Sequence, residues 1–255
     1  MDVGDKVAIE PTVFCSDSPR FQNTNLSKDY SCAPCSKGLT NICDYAGICG
    51  LGAQDGGLAE KFVTGARHAI VIPESIPLEV GALVQPIAVS WHAVRISGFK
   101  EDSSALVLGG GAVGLAAILS CFGHKASMVV CSEPSKRRRE SAEKLGAHVF
   151  DPSSVDGDPI KELMDLSPKG HGFDYCFDCS GLEITLHTAI RAATTNGTIV
   201  NVAIWGSDSI NFYPMEITKT EKRLMGSMCY TREDFEGVLD AFEKGNIDVD
   251  KTKTM

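Results

Sequence analysis

The sequence lacks any apolar run of the roughly 18 residues that a membrane-spanning helix requires. It also lacks an N-terminal basic region followed by an apolar stretch, the mark of a secretory or transit peptide. Lys and Arg number 24 against 33 Asp and Glu, and the net charge of −9 argues against broad binding to nucleic-acid backbones. We therefore expect a cytoplasmic protein that binds neither membranes nor nucleic acid.

Internal repeats and low-complexity tracts are absent as well, and the composition divides the 255 residues into two regions. Residues 1–80 are rich in Gly, Pro, Cys and Asp. Short apolar runs at residues 6–10, 59–63 and 69–72 are separated by turn residues there. This pattern predicts a β-rich region with irregular loops.

From about residue 103 onward, short apolar strands alternate with helical patterns. The predicted strands are residues 105–108, 128–131, 173–177 and 198–203. The predicted helices are residues 112–122, 135–145, 160–166 and 183–193. Such alternation predicts an α/β fold, with a parallel sheet covered by helices on both faces. Residues 78–97 have an apolar helical pattern and join the two regions.

A glycine-rich turn follows the first of these strands. Gly109, Gly111 and Gly114 fit the pattern G-x-G-x-x-G, with a strand before it, a helix after it, and Glu133 lying 19 residues past the last glycine. Gly109 would allow the tight turn, Gly111 would let the backbone approach a pyrophosphate, and Gly114 would let the helix pack closely on the strand. The helix N-terminus offers free N–H groups to the phosphates. We predict a dinucleotide site of the Rossmann type, in which the remaining turn residues are Ala112 and Val113.

Glu133 indicates which dinucleotide is bound. A carboxylate at this position accepts hydrogen bonds from both adenosine ribose hydroxyls and repels a 2′-phosphate, so NAD is favoured over NADP. The alternative interpretation is a solvated acid at a strand end. The basic run at residues 136–139 is typical of a solvated helix face, but an Arg near this acid can also meet a 2′-phosphate.

Four of the ten cysteines fall in one N-terminal stretch. Cys32 and Cys35 form a C-x-x-C pair and Cys43 follows, a spacing that suits tetrahedral zinc. The fourth ligand is either Cys15 or Asp29, and Cys15 is preferred because soft thiolates suit zinc. The alternative is a set of reduced, buried thiols without metal.

Other residues capable of metal or redox chemistry are given structural interpretations. The second C-x-x-C pair, Cys176 and Cys179, ends a core strand and is interpreted as buried structure. His92 lies on an apolar helix and is interpreted as a core residue. His68 and His171 lie in turns and are expected to be solvated.

Several separate segments together resemble the zinc-dependent medium-chain dehydrogenase/reductases. They are residues 56–60 (GGLAE), 81–93 (GALVQPIAVSWHA), 177–181 (FDCSG), 131–134 (CSEP) and 226–231 (GSMCYT), besides the cysteine and glycine motifs. The last two segments look like those of the branch that contains (R,R)-2,3-butanediol and sorbitol dehydrogenases. The resemblance extends over nearly the whole chain.

This resemblance implies a domain organisation. Residues 1–85 would be a partial GroES-like catalytic domain carrying a structural-zinc lobe. Residues 86–235 would be a doubly wound NAD-binding Rossmann domain, and residues 236–255 would begin the C-terminal segment that returns to the catalytic domain. The family also implies two zinc ions and, for the full-length protein, a homo-oligomer.

The resemblance also assigns roles to individual residues. Glu133 would hold the ribose and Arg138 would lie against the adenosine. The residues that would line the nicotinamide are Val202, Ala203, Ile204 and Met228. The implied activity is NAD- and zinc-dependent oxidation of secondary alcohols or vicinal diols of the 2,3-butanediol and acetoin type, with hydride transfer to NAD.

Two departures from the family bear on that activity. The family's other catalytic-zinc ligands, a Cys and a His-Glu pair, precede the Gly-Asp-Lys-Val stretch found here at residues 4–7, and the sequence stops at Met255, before the family's returning C-terminal segment. We therefore expect a chain shortened at both ends. Gln85 stands where the branch usually has Glu, and it would ligate zinc directly, act through water, or be a polar residue at a helix start. The alternative function is a shortened, non-catalytic NAD-binding relative.

Overall fold

A single parallel sheet dominates the computed structural model, which describes residues 1–17, 30–53, 55–206 and 209–255. Its six strands are ordered β7-β6-β5-β8-β9-β10, and every neighbouring pair is parallel. The chain thus moves outward from β5 in one direction, returns past it, and moves outward in the other direction. This is the doubly wound Rossmann order, whose switch point lies between β5 and β8. The predicted α/β Rossmann class is confirmed.

The bounds of the elements follow the chain from the N-terminus. The strands are β1 Val7–Ile9, β2 Thr12–Val13, β3 Gly47–Ile48, β4 Ala69–Val71, β5 Ser104–Leu108, β6 Met128–Ser132, β7 His148–Phe150, β8 Phe173–Asp178, β9 Ala193–Asn201 and β10 Arg223–Gly226. The helices are α1 Leu78–Gly81, α2 Val84–Ile96, α3 Ala112–Gly123, α4 Lys136–Lys144, α5 Pro159–Asp165, α6 Glu183–Ala192, α7 Met215–Thr218, α8 Arg232–Glu243 and α9 Val249–Thr252.

The sheet is buried on both faces, as its continuous apolar strands require. In β5, Ala105 and Val107 belong to one core with α2, α3 and α8, whereas Leu106 and Leu108 belong to the opposite core with α5 and α6. Alternate side chains of a strand point to opposite faces, so one five-residue strand serves both cores.

The N-terminal region forms two small antiparallel sheets, β1 with β4 and β2 with β3. Ala8 and Ile70 join the same core as α2, so this region packs directly on the helical layer. Of the three apolar runs noted in this region, residues 59–63 form no strand but bends and irregular chain. Apolarity alone does not make a strand where no neighbouring strand can satisfy its backbone groups.

Two further predicted segments differ from the observed elements by more than a shift of one residue. The helical pattern of residues 78–97 is split into α1 and α2 by two intervening residues. Strand β9 begins at Ala193, directly after α6, and ends at Asn201 rather than at residue 203. The two residues after it still hydrogen-bond to the neighbouring strand, since the N–H groups of Val202 and Ala203 both donate to the Asp178 carbonyl.

Side-chain caps fix the starts of α5, α8 and α9. Asp158 accepts a hydrogen bond from the Ile160 N–H at the start of α5, and Asp248 caps α9 in the same way. Thr231 and Asp234 form a reciprocal capping box at the start of α8.

Within the described residues, no helix has the length and apolarity needed to cross a bilayer.

Candidate functional site

The glycine-rich turn joins β5 to α3 at the carboxyl edge of the sheet. Gly109 has φ +100°, a conformation open to glycine, and a Cβ there would overlap the Ser180 hydroxyl. A Cβ at Gly114 would overlap the Gly109 carbonyl oxygen, so the helix approaches the turn at backbone distance. A Cβ at Gly111 would have no described atom within 4 Å. The fold requires the first and third glycines, and the second leaves open space in front of the helix N-terminus.

Glu133 follows β6 and is 3% exposed. Its Oε2 accepts a hydrogen bond from the Gly110 N–H at 2.7 Å, and its Oε1 accepts one from the Ser135 N–H at 2.8 Å. The carboxylate is therefore fixed against the glycine-rich turn. Each oxygen keeps a further lone pair that can accept a hydrogen bond from a hydroxyl group.

The basic run beside Glu133 divides into two kinds of residue. Arg139 is committed to local structure: it donates to the carbonyls of Glu133 and Pro134 and pairs with Asp151 at 2.7 Å. Arg138 is exposed, and its guanidinium lies 3.8 Å from Glu133 Oε2. Arg138 therefore borders the carboxylate.

Val202, Ala203 and Ile204 follow β9 at the same edge of the sheet. Val202 is buried and Ile204 is 89% exposed. Gly181, with φ +68°, lies so close to this segment that a Cβ would sit 3.0 Å from Ala203 Cβ. Met228, which follows β10, is 54% exposed. The structure thus places these four predicted residues beyond the carboxyl ends of two adjacent strands.

Asp178, at the end of β8, was not singled out from the sequence. It is fully buried, and its Oδ1 accepts hydrogen bonds from the Ser180 and Gly181 N–H groups and the Thr185 hydroxyl. Burial raises its pKa, and Oδ2 has no partner among the described residues. The available sequence signal was an Asp two residues before a Ser, typical of an Asx turn. Asp178 fixes the loop that faces the glycine-rich turn.

The four cysteines form a compact cluster in which all four sulfurs lie within 4.8 Å of one another. The Cys15–Cys32 and Cys32–Cys43 sulfur distances are both 3.7 Å, and all four thiols are free. Zinc–sulfur bonds of about 2.3 Å place the sulfurs of a tetrahedral site about 3.8 Å apart. The donor set and its dimensions therefore fit one tetrahedral zinc ion.

Backbone N–H groups point at the sulfurs of this cluster. The Cys15 N–H and the Tyr45 N–H both donate to Cys43 Sγ at 3.3 Å. Burial acts to raise the pKa of the Cys32 thiol. Hydrogen bonds from the Cys35 and Asp44 N–H groups act in the opposite direction and help to lower that pKa to about 7. These donors stabilise thiolate. Cys15 completes the cluster, and the alternative ligand, Asp29, lies outside the described residues.

Gln85 is half-buried in the first turn of α2. Its Nε2 donates to the Tyr230 hydroxyl at 3.2 Å, and Thr12 donates to the same hydroxyl at 3.1 Å. Since the amide nitrogen is engaged, the amide oxygen is the atom left to meet a metal, a water or a substrate. The cysteine cluster is the only group of three or more metal-binding side chains found in the described part of the chain.

The expectation for His68 is wrong. His68 is 1% exposed, and its Nε2 lies 3.1 Å from Asp17, a residue 51 positions earlier that sequence reasoning did not pair with it. His171 is exposed as expected, and His92 is confirmed as a core residue at 5% exposure. Cys176 is fully buried, which agrees with a structural interpretation.

Comparison with known proteins identifies relatives of the chain. The family model described as "Zinc-binding dehydrogenase" matches residues 112–244. The chain is 48% identical over its whole length to a Saccharomyces cerevisiae protein named "Probable diacetyl reductase, (R)-acetoin forming, 2", and 44% identical over 99% of its length to the (R,R)-butanediol dehydrogenase of the same organism. The crystal structure of 2R,3R-butanediol dehydrogenase from Bacillus subtilis matches 98% of the chain at 30% identity, with a TM-score of 0.83.

The chain spans only part of the length of these proteins. It covers 61% of the diacetyl reductase, 66% of the yeast butanediol dehydrogenase and 66% of the Bacillus subtilis structure.

Proposed function

The chain belongs to the zinc-binding dehydrogenase family, and on that premise we propose that it forms part of an NAD-dependent oxidoreductase of secondary alcohols and vicinal diols. The substrates would be of the 2,3-butanediol and acetoin type, as in the names of the relatives at 48% and 44% identity. The observation that carries the cofactor assignment is the Glu133 carboxylate, fixed by two backbone N–H groups beside the glycine-rich turn.

The choice of NAD over NADP rests on charge and burial. A 2′-phosphate would stand against a carboxylate that is almost fully buried, whereas two ribose hydroxyls would donate to its free lone pairs. Arg138 lies 3.8 Å from one carboxylate oxygen and would contact the adenosine. The pyrophosphate would lie over Gly111, where the backbone is open, against the N–H groups of Ala112 and Val113.

At the other end of the cofactor, Val202, Ala203, Ile204 and Met228 would line the nicotinamide. When bound, the nicotinamide ring supplies the hydride acceptor for alcohol oxidation. The chain itself would orient the ring: Asp178 fixes the 179–182 loop, and Gly181 packs against Ala203.

The metal proposal concerns the cysteine cluster. Cys15, Cys32, Cys35 and Cys43 would hold one structural zinc, since four thiols at tetrahedral spacing leave no open position for a substrate. Gln85 is the proposed position of a ligand to the family's catalytic metal, with its amide oxygen as the donor atom. The surroundings of Gln85 in the described residues do not supply a complete ligand set for such a metal.

The remaining proposals follow the family. Residues 1–85, 86–235 and 236–255 would be, in order, part of a GroES-like domain, the NAD-binding domain and the start of a returning segment. The protein would act in the cytoplasm as a homo-oligomer.

The test measures binding, metal content and turnover on one preparation. We expect NADH to bind more tightly than NADPH in a fluorescence titration, and elemental analysis to find about one zinc ion per chain for the cysteine cluster and a second where a catalytic metal is also bound. Turnover of 2,3-butanediol with NAD, or of acetoin with NADH, would support the oxidoreductase. Binding of NADH without turnover of either substrate would instead support the non-catalytic relative, and failure to bind either dinucleotide would contradict both.

A further inference from the structure

The side chain of Asn41 joins three separate parts of the molecule. Asn41 lies in the short 3₁₀ turn Thr40–Ile42, two residues before Cys43, and is 7% exposed. Its Nδ2 lies 2.9 Å from the Met228 carbonyl oxygen and 3.2 Å from His92 Nε2. One amide group therefore connects the loop between Cys35 and Cys43 to α2 and to the segment after β10.

The partners of His92 determine how that connection works. Its Nδ1 lies 2.8 Å from Asp234 Oδ2, and a carboxylate can only accept, so Nδ1 carries the proton. Since an amide nitrogen can only donate, His92 Nε2 is the acceptor of the hydrogen bond from Asn41. Asn41 has two N–H donors on Nδ2, one for the His92 ring and one for the Met228 carbonyl, and both are satisfied.

Asp234 is itself held rigidly. It is fully buried, and its carboxylate accepts from Arg95 Nε at 2.7 Å and from the Thr231 N–H at 2.7 Å. The His92 ring is therefore anchored by Asp234 through Nδ1, on the side opposite the Asn41 contact. Any displacement of Asn41 must be taken up at the Met228 carbonyl rather than at the ring.

The chain directly after Met228 is fixed by contacts that do not involve Asn41. Cys229 has φ +51°, a left-handed conformation that costs a non-glycine residue free energy. Tyr230 is 2% exposed and bonded to Thr12 and Gln85. Met228 itself is partly exposed, its carbonyl accepts from Asn41, and it holds the position proposed to line the nicotinamide.

We propose that Asn41 is a positioning residue that couples the cysteine cluster to the nicotinamide end of the cofactor site, so that metal in the cluster tightens NADH binding. This proposal rests on the proposed function, because it takes zinc and NADH as the two ligands. Metal bound to Cys35 and Cys43 fixes both ends of the short loop that carries Asn41. NADH then meets a Met228 segment that is already ordered, and its binding loses less conformational entropy.

The test is a cycle of four NADH dissociation constants: wild type and Asn41→Ala, each with zinc and after removal of zinc by chelation and dialysis. Coupling between sites is reciprocal and is typically fivefold or more. We expect zinc to tighten NADH binding about tenfold in the wild type and less than twofold in Asn41→Ala. Saturating NADH should raise the zinc affinity of the wild type by the same factor, and should leave that of Asn41→Ala unchanged.

The matched control is Ser36→Ala, in the same loop. Ser36 is exposed, and among the described residues its hydroxyl donates to the Ala33 carbonyl alone, so this variant should retain the full coupling. If Asn41→Ala does not fold, Asn41→Asp keeps the shape of the side chain and removes both N–H donors, and the same loss of coupling is expected. Thermal unfolding of each variant establishes that the comparison is between folded proteins.

Two outcomes would overturn the proposal, and they differ in what else they affect. Equal NADH affinities with and without zinc in the wild type, or full coupling in a folded Asn41 variant, would overturn the coupling alone. A zinc-loaded wild type that binds no NADH would contradict the proposed function and the coupling together.

Discussion

The Glu133 carboxylate and the Gly110 N–H are joined by a hydrogen bond of 2.7 Å, so the acid that follows β6 is attached directly to the glycine-rich turn that follows β5. The attachment is tight, since a Cβ on Gly110 would lie 3.1 Å from Glu133 Cγ. The residue that would recognise the ribose is thus held by the loop that would bind the pyrophosphate. One rigid unit would therefore bind both the ribose and the pyrophosphate of an adenosine diphosphate.

Replacing this acid should weaken NADH binding and relax the choice of cofactor. For Glu133→Gln we expect the NADH dissociation constant to rise about 10- to 100-fold, because hydrogen bonds to a charged acceptor contribute about 1.5–3 kcal/mol each. The NADPH dissociation constant should rise much less, since the substitution removes the negative charge that would repel the 2′-phosphate beside Arg138. The measurement is a pair of fluorescence titrations. Glu140→Gln, an exposed acid on α4, is the control, and a variant that loses both cofactors equally would count against the ribose role of Glu133.

The first and third glycines of the turn should differ from the second in a mutational test. Gly114→Ala places a methyl group into the Gly109 carbonyl and should lower the melting temperature strongly. Gly111→Ala adds a methyl group in open space at an ordinary φ of −75°, so the melting temperature should change little while NADH affinity falls. Thermal unfolding and NADH titration on both variants test the contrast. Unimpaired NADH binding by Gly111→Ala would show that the pyrophosphate lies elsewhere.

Local sequence patterns predicted the parts of the site that depend on neighbouring residues. The turn at Gly109, the strand before it and the helix after it lie within 20 positions of one another, and their periodicity is visible in the sequence. The cysteine cluster was predictable for a related reason, because C-x-x-C spacing constrains two ligands locally. Only the choice between Cys15 and Asp29 required tertiary structure.

Long-range polar pairs were not predictable in this way. His68 was expected to be solvated because it lies in a turn. It is buried, however, and its ring nitrogens contact Asp17 and the Glu10 carbonyl. The Asn41 amide meets a carbonyl 187 residues away, and no pattern in one sequence encodes such a meeting. Hydrophobic periodicity reports which face is buried, whereas the partner of a buried polar group depends on how whole elements dock.

The cysteine cluster should be disrupted by a single thiol replacement. For Cys43→Ser we expect loss of the bound zinc and a lower melting temperature, since structural zinc sites contribute folding free energy directly. Cys49→Ser is the matched control, because Cys49 lies in the same region but outside the cluster. Elemental analysis and thermal unfolding provide the readouts. Retention of one zinc per chain by Cys43→Ser would mean that the metal is held by other residues.

Asp234 should make stability depend on pH in the acid range. Burial acts to raise its pKa, but hydrogen bonds from His92, Arg95 and Thr231 prevail and lower that pKa to about 2, below the ordinary value of 3.8. A carboxylate with a lowered folded-state pKa stabilises the protein fully above about pH 4, and this contribution is lost as the pH falls toward 2.

The corresponding experiment is urea unfolding of the wild type and Asp234→Asn between pH 7 and pH 2.5. At pH 7, Asp234→Asn should lose about 3–5 kcal/mol, because Arg95 and His92 then lack their buried acceptor. Below pH 4 the two proteins should converge, since the wild-type carboxylate becomes protonated and loses its advantage. Asp240→Asn, an exposed change on the same helix, should follow the wild-type curve. Parallel curves for the wild type and Asp234→Asn across this range would contradict the assigned role of the ionised carboxylate.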